Sequence, residues 1–286
     1  RRFIFKRNNY LNIMKNINFT KMQSLGNDFV IIDQLKSTYK ISKKEIKRIS
    51  DRNYGIGCDQ LLIIERSNKK EIAFKYKIYN KDGSESGQCG NGAKCVARYY
   101  FDKYCKNKIE INIETKTRKM ILHQKKDKSI IVDMGVPNFK PKEFISKKTA
   151  FIYSAKKYFF NCISIGNPHA VFHINNISKI DLKDFANTFN KKKYFKNGAN
   201  ISIVENINKN NWRARIYERG SSETMACGSA ACAISASLKA LKGTILAINY
   251  VHMHGGKAQV KWSGNQCDSI YLIGKAEYVF TGNYIL

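Results

Sequence analysis

Two stretches of the chain are near copies of each other, and a duplicated chain has few architectures open to it. The first runs Gly83-Ser84-Glu85-Ser86-Gly87-Gln88-Cys89-Gly90-Asn91-Gly92-Ala93. The second runs Ser221-Ser222-Glu223-Thr224-Met225-Ala226-Cys227-Gly228-Ser229-Ala230-Ala231. Cys227 follows Cys89 by 138 residues, close to half of the 286-residue chain. Three further segments recur in the same order at nearly the same spacing. Ile78-Tyr79-Asn80-Lys81 lies over Ile216-Tyr217-Glu218-Arg219 at 138, and Ser24-Leu25-Gly26-Asn27 over Ser164-Ile165-Gly166-Asn167 at 140. Gln60-Leu61-Leu62-Ile63-Ile64-Glu65 lies over Asn200-Ile201-Ser202-Ile203-Val204-Glu205, also at 140. Tandem duplication explains this, and it predicts two pseudo-symmetric halves of mixed α/β (α+β) character.

Patterning places the elements of each half. Strands are expected at Ile17–Lys21, Phe29–Asp33, Leu61–Ile64, Phe74–Tyr79, Ile109–Glu114, Met120–His123 and Ile130–Asp133. A helix over Ser42–Asp51 opens on a capping box, with Ser42 as N-cap and Glu45 three residues on. Another runs from Ala93 to Lys103 behind the first Cys-Gly. The second half begins near Gly135-Val136-Pro137 and repeats the programme. It has a strand, the Gly166-Asn167-Pro168-His169 turn, a helix near Leu182–Phe189, strands from Asn200 and at Arg213–Tyr217, and a helix over Ser229–Leu241. Strands at Leu246–Val251, Ala258–Trp262 and Ser269–Ile273 close it. The tail Glu277–Leu286 has no counterpart in its own half and is expected to pair back onto the first. The expected division is therefore 14–133 plus 274–286 for the first half and 134–273 for the second. Residues 1–13 are basic and lack the apolar centre of a secretory signal; they read as an upstream extension before Met14, with a transit peptide as the alternative.

The formal charge of +29 raises the question of nucleic acid. The excess is mostly Lys spread in small groups, such as Lys43-Lys44 and Lys191-Lys192-Lys193, without a block of Arg and interleaved aromatics. No nucleic-acid partner is expected. No apolar run reaches membrane-spanning length, so no membrane partner is expected either. Eight cysteines without a Cys-x-x-Cys form neither a metal nor a disulfide framework, and free thiols point to a reducing, cytoplasmic setting.

Each repeated stretch puts Cys-Gly at a helix start, where backbone N–H groups lack partners and the helix dipole adds partial positive charge. A cysteine there is expected to have a lowered pKa, and the glycine after it to let a ligand reach the backbone. Two such thiols from symmetry-related halves would face each other across a cleft. Facing thiols suit a reaction that takes a proton from one face of a carbon and returns one to the other: two-base racemisation or epimerisation. Cys89 and Cys227 are the candidate pair. The remaining cysteines, Cys58, Cys95, Cys105, Cys162, Cys232 and Cys267, read as small buried hydrophobes. No pyridoxal phosphate lysine motif and no dinucleotide fingerprint is evident, so no cofactor and no metal are expected. Arg219 offers a planar fork for a carboxylate.

These residues resemble the diaminopimelate epimerase family. The resemblance is carried by Ser24-Leu25-Gly26-Asn27-Asp28-Phe29, Gly55-Ile56-Gly57-Cys58-Asp59-Gln60, Asp82-Gly83-Ser84-Glu85 through Cys89-Gly90-Asn91-Gly92, Gly166-Asn167-Pro168-His169, and Glu218-Arg219-Gly220 through Ala226-Cys227-Gly228-Ser229. It runs from about Lys21 to near the C-terminus. It implies interconversion of LL- and meso-diaminopimelate, in lysine and peptidoglycan precursor synthesis, and two domains that each curl a sheet around a central helix. It further implies that Cys89 and Cys227 exchange the protons, and that Asn27, Gln60, Asn80, Asn167, Asn200, Glu218 and Arg219 contact the amino-acid substrate. Gly90, Asn91, Gly228 and Ser229 match helix-start anion sites, and His169 and Glu218 match residues that tune the cysteines. The chain departs from the family pattern at Gln23-Ser24 (His-Gly is common), Cys58 (Ala), Lys94 (Arg) and Ser221-Ser222 (a more apolar, Gly-containing pair). A proline-racemase-like enzyme is the nearest rival; a basic nucleic-acid-binding module and a thiol redox protein are rivals of other classes. A homodimer is the oligomeric expectation.

Overall fold

The computed structural model describes residues 16–220, 222–242 and 247–285. The extension 1–13, Ser221, Leu246 at the head of an expected strand, and Leu286 lie outside the described residues.

The first half runs β1 (Asn16–Ser24), β2 (Asn27–Gln34), α1 (Lys43–Ser50), β3 (Gln60–Glu65), β4 (Phe74–Asn80), β5 (Glu85–Ser86), α2 (Gly90–Tyr104), β6 (Glu110–Glu114), β7 (Lys119–Gln124) and β8 (Ile130–Asp133). The second runs β9 (Ala150–Tyr153), β10 (Lys156–Ser164), β11 (Pro168–His173), α3 (Leu182–Lys191), β12 (Asn200–Asn208), β13 (Asn211–Tyr217), α4 (Gly228–Lys242), β14 (Ile248–Met253), β15 (Gly256–Lys261) and β16 (Tyr271–Gly274). A last strand, β17 (Glu277–Ile285), follows. Most expected boundaries fall within two or three residues of these. The strand β9 was not anticipated.

The ladders repeat as the sequence does. In the first half β2 and β3 pair parallel with Phe29 opposite Gln60; in the second β11 and β12 pair parallel with His169 opposite Asn200. The β4–β6 and β13–β14 pairs are likewise parallel. Parallel neighbours need a crossover; helices α1 and α3 lie in the first pair of crossovers, α2 and α4 in the second. Even the small pairing of Tyr79 with Glu85 recurs as a bridge between Tyr217 and Glu223. Strand β8 pairs antiparallel with β16, which joins the halves into one continuous sheet. As expected, the tail returns: β17 lies antiparallel on β1, from Asn16 opposite Ile285 to Gln23 opposite Glu277.

Each half curls around one helix. Helix α2 touches β1, β2, β3, β7 and β8, and α4 touches β10, β11, β12, β14, β15 and β16. Both helices are small-residued at their starts and buried nearly all round, as a central helix must be. The shorter helices are amphipathic and cover the outside. In α3, Leu182, Phe185, Ala186 and Phe189 follow the spacing of one helical face, and all are buried. Each such Leu or Phe contributes about 1.5–3 kcal/mol of burial free energy. Strand β2 shows why the sheet needs both layers. Phe29 and Ile31 face the inner core with α2, whereas Val30 and Ile32 pack outward with Ile46 and Ile49 of α1. A four-residue apolar run is what a strand covered on both faces requires.

Candidate active site

Both cysteines sit where the central helices begin. Cys89 is the N-cap of α2, with extended backbone (φ −147°, ψ 112°); its Sγ accepts from the Gly92 N–H at 3.3 Å, and its carbonyl accepts from Ala93 N–H at 2.9 Å. Cys227 has the matching bond, Ala231 N–H to its carbonyl at 3.1 Å, and its Sγ lies 3.4 Å from Ser229 Oγ. The helices meet start to start. A Cβ placed on Gly228 would lie 3.6 Å from the Asn91 backbone nitrogen, and Asn91 Nδ2 donates to the Ala226 carbonyl at 3.4 Å.

The Cys-Gly glycines have a packing reason that sequence reasoning assigned to ligand approach. Leu272 of β16 wedges between the two helix starts. Its Cδ2 would be 2.9 Å from a Cβ on Gly90 and 2.6 Å from one on Gly228. Gly92 is constrained from the other side, since a Cβ there would fall 2.2 Å from the hydroxyl of buried Tyr76, which donates to the Cys89 carbonyl at 3.4 Å. Gly92→Ala is therefore expected to lower unfolding stability by roughly 1–3 kcal/mol through overpacking. Urea denaturation with an unchanged midpoint would show that Tyr76 yields freely.

Each cysteine-bearing loop also leans on the other half. Gln88 Oε1 would lie 3.1 Å from a Cβ on Gly166, and Met225 Cβ 3.3 Å from a Cβ on Gly26. Gly26 (φ 73°) and Gly166 (φ 80°) occupy the left-handed region at equivalent turns, which is why both repeats keep glycine there.

The expected lowering of the cysteine pKa values is overturned. Burial pushes the Cys89 thiol up to about 12, although the N–H groups of Gly92 and Asn91 pull the other way; the Glu218 carboxylate adds to the rise. Cys227 is raised well above its ordinary value, again by burial first and Glu218 next, against the Ser229 hydroxyl and the Ala230 N–H. Removal from water shifts a buried group by up to about 3–5 units, and a helix terminus offers only about 0.3–2 kcal/mol against it. Both thiols are protonated in this structure at neutral pH.

The two residues expected to tune them are present and close. Glu218 is raised by burial, against hydrogen bonds from Thr224 Oγ1 (2.8 Å) and from the Cys227 thiol. His169 is fully buried. Burial, then the Arg219 charge, pushes it down to about 3, so it is neutral. Its Nε2 lies 3.1 Å from both Asn167 Oδ1 and Ser229 Oγ. Since Asn167 Oδ1 only accepts, the ring proton is on Nε2, and Nδ1 has no partner among the described residues.

The other expected residues occupy equivalent places in the two halves. Asn27 and Asn167 lie two residues before Phe29 and His169, which pair with Gln60 and Asn200 at the openings of β3 and β12; Asn80 ends β4 opposite Gln60, and Glu218 directly follows Tyr217, the last residue of β13, which stands opposite Ile201. Hydrogen bonds fix which end of each amide is spent. Asn27 Nδ2 donates to Asp59 (2.9 Å) and Gln60 Nε2 to Asn80 Oδ1 (2.9 Å), while Asn80 Nδ2 donates to Ser84 Oγ (3.0 Å). That leaves Asn27 Oδ1 and the buried Gln60 Oε1, which has no partner among the described residues, as acceptors in the first half. In the second half the oxygens are spent. Asn200 Oδ1 accepts from the Arg219 backbone N–H (2.8 Å) and Asn167 Oδ1 from His169. Their amide N–H groups remain, beside Arg219, whose Nη1 reaches only the Asn197 carbonyl at 3.4 Å and which pairs with no carboxylate among the described residues. Donors beside an exposed guanidinium suit a carboxylate, and bare carbonyl oxygens suit an ammonium.

Sequence reasoning passed over Asp59. It holds the Asn27 amide and is itself held by Arg52 (3.0 Å) and Lys81 (3.2 Å). Its place next to Gln60 in a glycine-rich loop was the available signal. Thr224 and Leu272 were also passed over. Of the cysteines outside the pair, Cys58, Cys95 and Cys232 are buried as expected. Cys105 and Cys162 are only partly so, and Cys267 is exposed, in a turn where Asn265 Oδ1 accepts its N–H. Among the described residues no group of three or more His, Cys, Asp or Glu is placed to hold a metal ion, and no helix is long and apolar enough to cross a membrane.

The architecture has known counterparts. A PhzF-family phenazine biosynthesis protein from Bacillus anthracis superposes with a TM-score of 0.72 at 17% identity, covering 96% of this chain and 100% of its own. A hydroxyproline epimerase from Agrobacterium vitis gives a TM-score of 0.72 at 10% identity, covering 95% and 93%. At these identities the likeness is one of fold. In sequence, the chain is 38% identical over 268 residues to the diaminopimelate epimerase of Vesicomyosocius okutanii subsp. Calyptogena okutanii (strain HA), spanning 93% of this chain and 98% of that protein. The family model described as diaminopimelate epimerase matches residues 19–140 and 161–279. The chain belongs to the diaminopimelate epimerase family.

Proposed function

We propose that this chain interconverts LL- and meso-diaminopimelate by a two-base route in which Cys89 and Cys227 exchange protons with the substrate α-carbon, without a cofactor. The observation that carries the reading is the pair of cysteines at helix starts that meet, with one carboxylate, Glu218, bearing on both thiols. One cysteine, as thiolate, takes the α-proton, so that a Cα–H bond breaks as an S–H bond forms. The other thiol delivers its proton to the opposite face, and its S–H bond breaks as the new Cα–H bond forms. The helix-start N–H groups around Gly90, Asn91, Gly228 and Ser229 receive the α-carboxylate and stabilise charge that grows as the proton leaves. The distal carboxylate goes to Arg219 with Asn167 and Asn200, and ammonium groups to Glu218 and to the carbonyl oxygens of Asn27 and Gln60. A bound ammonium also makes a buried thiolate less costly, which fits thiols that stay protonated while no substrate is bound.

A proline-like substrate would leave Arg219 without a partner, which favours a substrate with a second carboxylate. The two halves act as domains, 14–133 with 274–286 and 134–273, and the cleft between them is the site. Eight free cysteines support work in the reducing cytoplasm. The test is to incubate the protein with LL-diaminopimelate in D2O. Meso product carrying deuterium at the inverted α-carbon is expected; meso product that retains α-protium would rule out exchange through solvent-equilibrated thiols.

A further inference from the structure

The amides at the site are turned opposite ways in the two halves, and hydrogen bonds decide which way. In the first half Gln60 Nε2 donates to Asn80 Oδ1 (2.9 Å), Asn80 Nδ2 to Ser84 Oγ (3.0 Å), and Ser84 Oγ to Asp82 Oδ1 (2.6 Å). The outer end gives this chain of bonds its direction. Asp82 also accepts the Ser84 backbone N–H (2.8 Å), and the hydroxyl first, then the N–H, hold its carboxyl below the usual range. It is ionised at neutral pH and can only accept. The Ser84 proton is thus committed to Asp82 and its lone pair to Asn80, and each amide in turn is fixed. What remains at the inner end is Gln60 Oε1, a buried acceptor with no partner among the described residues. Leaving such an atom bare is costly, and a donor on a ligand would relieve it.

The second half keeps the backbone of this turn and loses the relay. Asn80 N–H donates to the Ser84 carbonyl (2.9 Å), as Glu218 N–H does to that of Ser222 (3.1 Å). The residue 138 positions after Asp82, however, is Gly220, and Ser222 Oγ turns to the Glu223 carbonyl (3.4 Å). The partner of Asn200 Oδ1 there is a donor, the Arg219 backbone N–H, so the amide nitrogen is the end left over. Asn27 and Asn167 differ in the same sense. Asp59 takes the Asn27 amide nitrogen, whereas the residue 140 positions after Asp59 is Ala199, and Asn167 Oδ1 accepts from His169 instead.

We propose that Ser84, its hydroxyl turned by Asp82, is a positioning residue for substrate recognition: through Asn80 it holds Gln60 with its oxygen toward the cleft, and so makes the first half of a near-symmetric site a receiver of ammonium. The inference rests on the diaminopimelate reading above.

The test measures kcat and KM for LL-diaminopimelate, and Kd by calorimetry, in the wild type, Ser84→Ala, Gln60→Glu and the double variant. Ser84→Ala frees the Asn80 and Gln60 amides to turn over, which sets a donor against the ammonium. KM and Kd should rise about tenfold, with kcat within a few-fold. The carboxylate of the Gln60→Glu variant accepts at both oxygens and needs no orienting. That variant should bind within a few-fold of the wild type, and adding Ser84→Ala to it should change KM and Kd by less than about twofold, whereas a purely structural role would give the same factor in both backgrounds. Unchanged KM and Kd in Ser84→Ala, an equal factor in both backgrounds, or loss of binding in Gln60→Glu would overturn the proposal. Ser84→Ala keeps the backbone bonds of the turn and should melt close to the wild type; if it does not fold, Ser84→Cys, whose thiol is a weak hydrogen-bond partner, gives the same reading. Failure of the diaminopimelate reading would show differently, as a wild type that neither converts nor binds diaminopimelate, and would take this inference with it.

Discussion

Changing Cys227 to Ala should abolish net epimerisation while leaving one half of the chemistry running. Cys89 remains as a base toward one face of the α-carbon, but no thiol delivers a proton to the other. General acid–base steps each contribute roughly 10²–10⁴-fold, so inversion should fall by several orders of magnitude. Exchange of the α-hydrogen with D2O should suffer less, and only for the stereoisomer whose proton points at Cys89. Cys89→Ala should reverse which stereoisomer exchanges. The measurement is α-deuterium in recovered LL- and meso-diaminopimelate, separated before analysis. Two variants with the same exchange preference, or either inverting at the wild-type rate, would sink the two-base mechanism. Neither substitution threatens the fold. Alanine keeps the backbone carbonyl bonds at both helix starts, and Cys89→Ala gives up only the Sγ cap on the Gly92 N–H.

Arg219→Lys should raise KM by about 10- to 100-fold and leave kcat within a few-fold. The guanidinium is exposed and pairs with no carboxylate among the described residues, so its forked donors are available to a ligand. Charge-assisted hydrogen bonds are worth about 1.5–3 kcal/mol each, and a lysine ammonium replaces a two-pronged contact with a point charge. The distal carboxylate lies away from the carbon that inverts, so the loss should fall on binding equally in ground and transition states. Steady-state kinetics with LL-diaminopimelate decides it; an unchanged KM would remove Arg219 from the substrate.

Much of this architecture was written in the repeat. The offsets of 138 and 140 residues anticipated that Gln60 and Asn200 would occupy equivalent strand positions, and the ladders place them so. The Ser42–Glu45 capping box is present with both of its bonds. What escaped notice did so for physical reasons. Helices α2 and α4 begin at Gly90 and Gly228, earlier than Ala93 and Ser229. Glycine and asparagine are poor helix formers, but here capping and tight packing outweigh propensity. The sign of the cysteine pKa shift depends on burial depth, which spacing does not carry; the helix dipole is readable from sequence, and the larger desolvation that opposes it is not. Strand β9 is four residues long and is recognisable only beside β10. Asp59 reads as a loop acid until the fold sets it against Asn27.

The pairing of β17 with β1 has a bearing on how such a chain matures on the ribosome. Strand β1 is made before every other strand described, yet one of its two neighbours, residues 277–285, is made after all of them. Until β17 is made, the nascent first half lacks the strand that covers its backbone edge along Asn16–Gln23, the kind of surface that recruits stray strands. Its sheet closes only when β17 clears the exit tunnel, so the two halves cannot mature as independent modules in order of synthesis, as tandem domains usually do. The duplication that built the site has thus tied both halves to a single late event, the arrival of the tail.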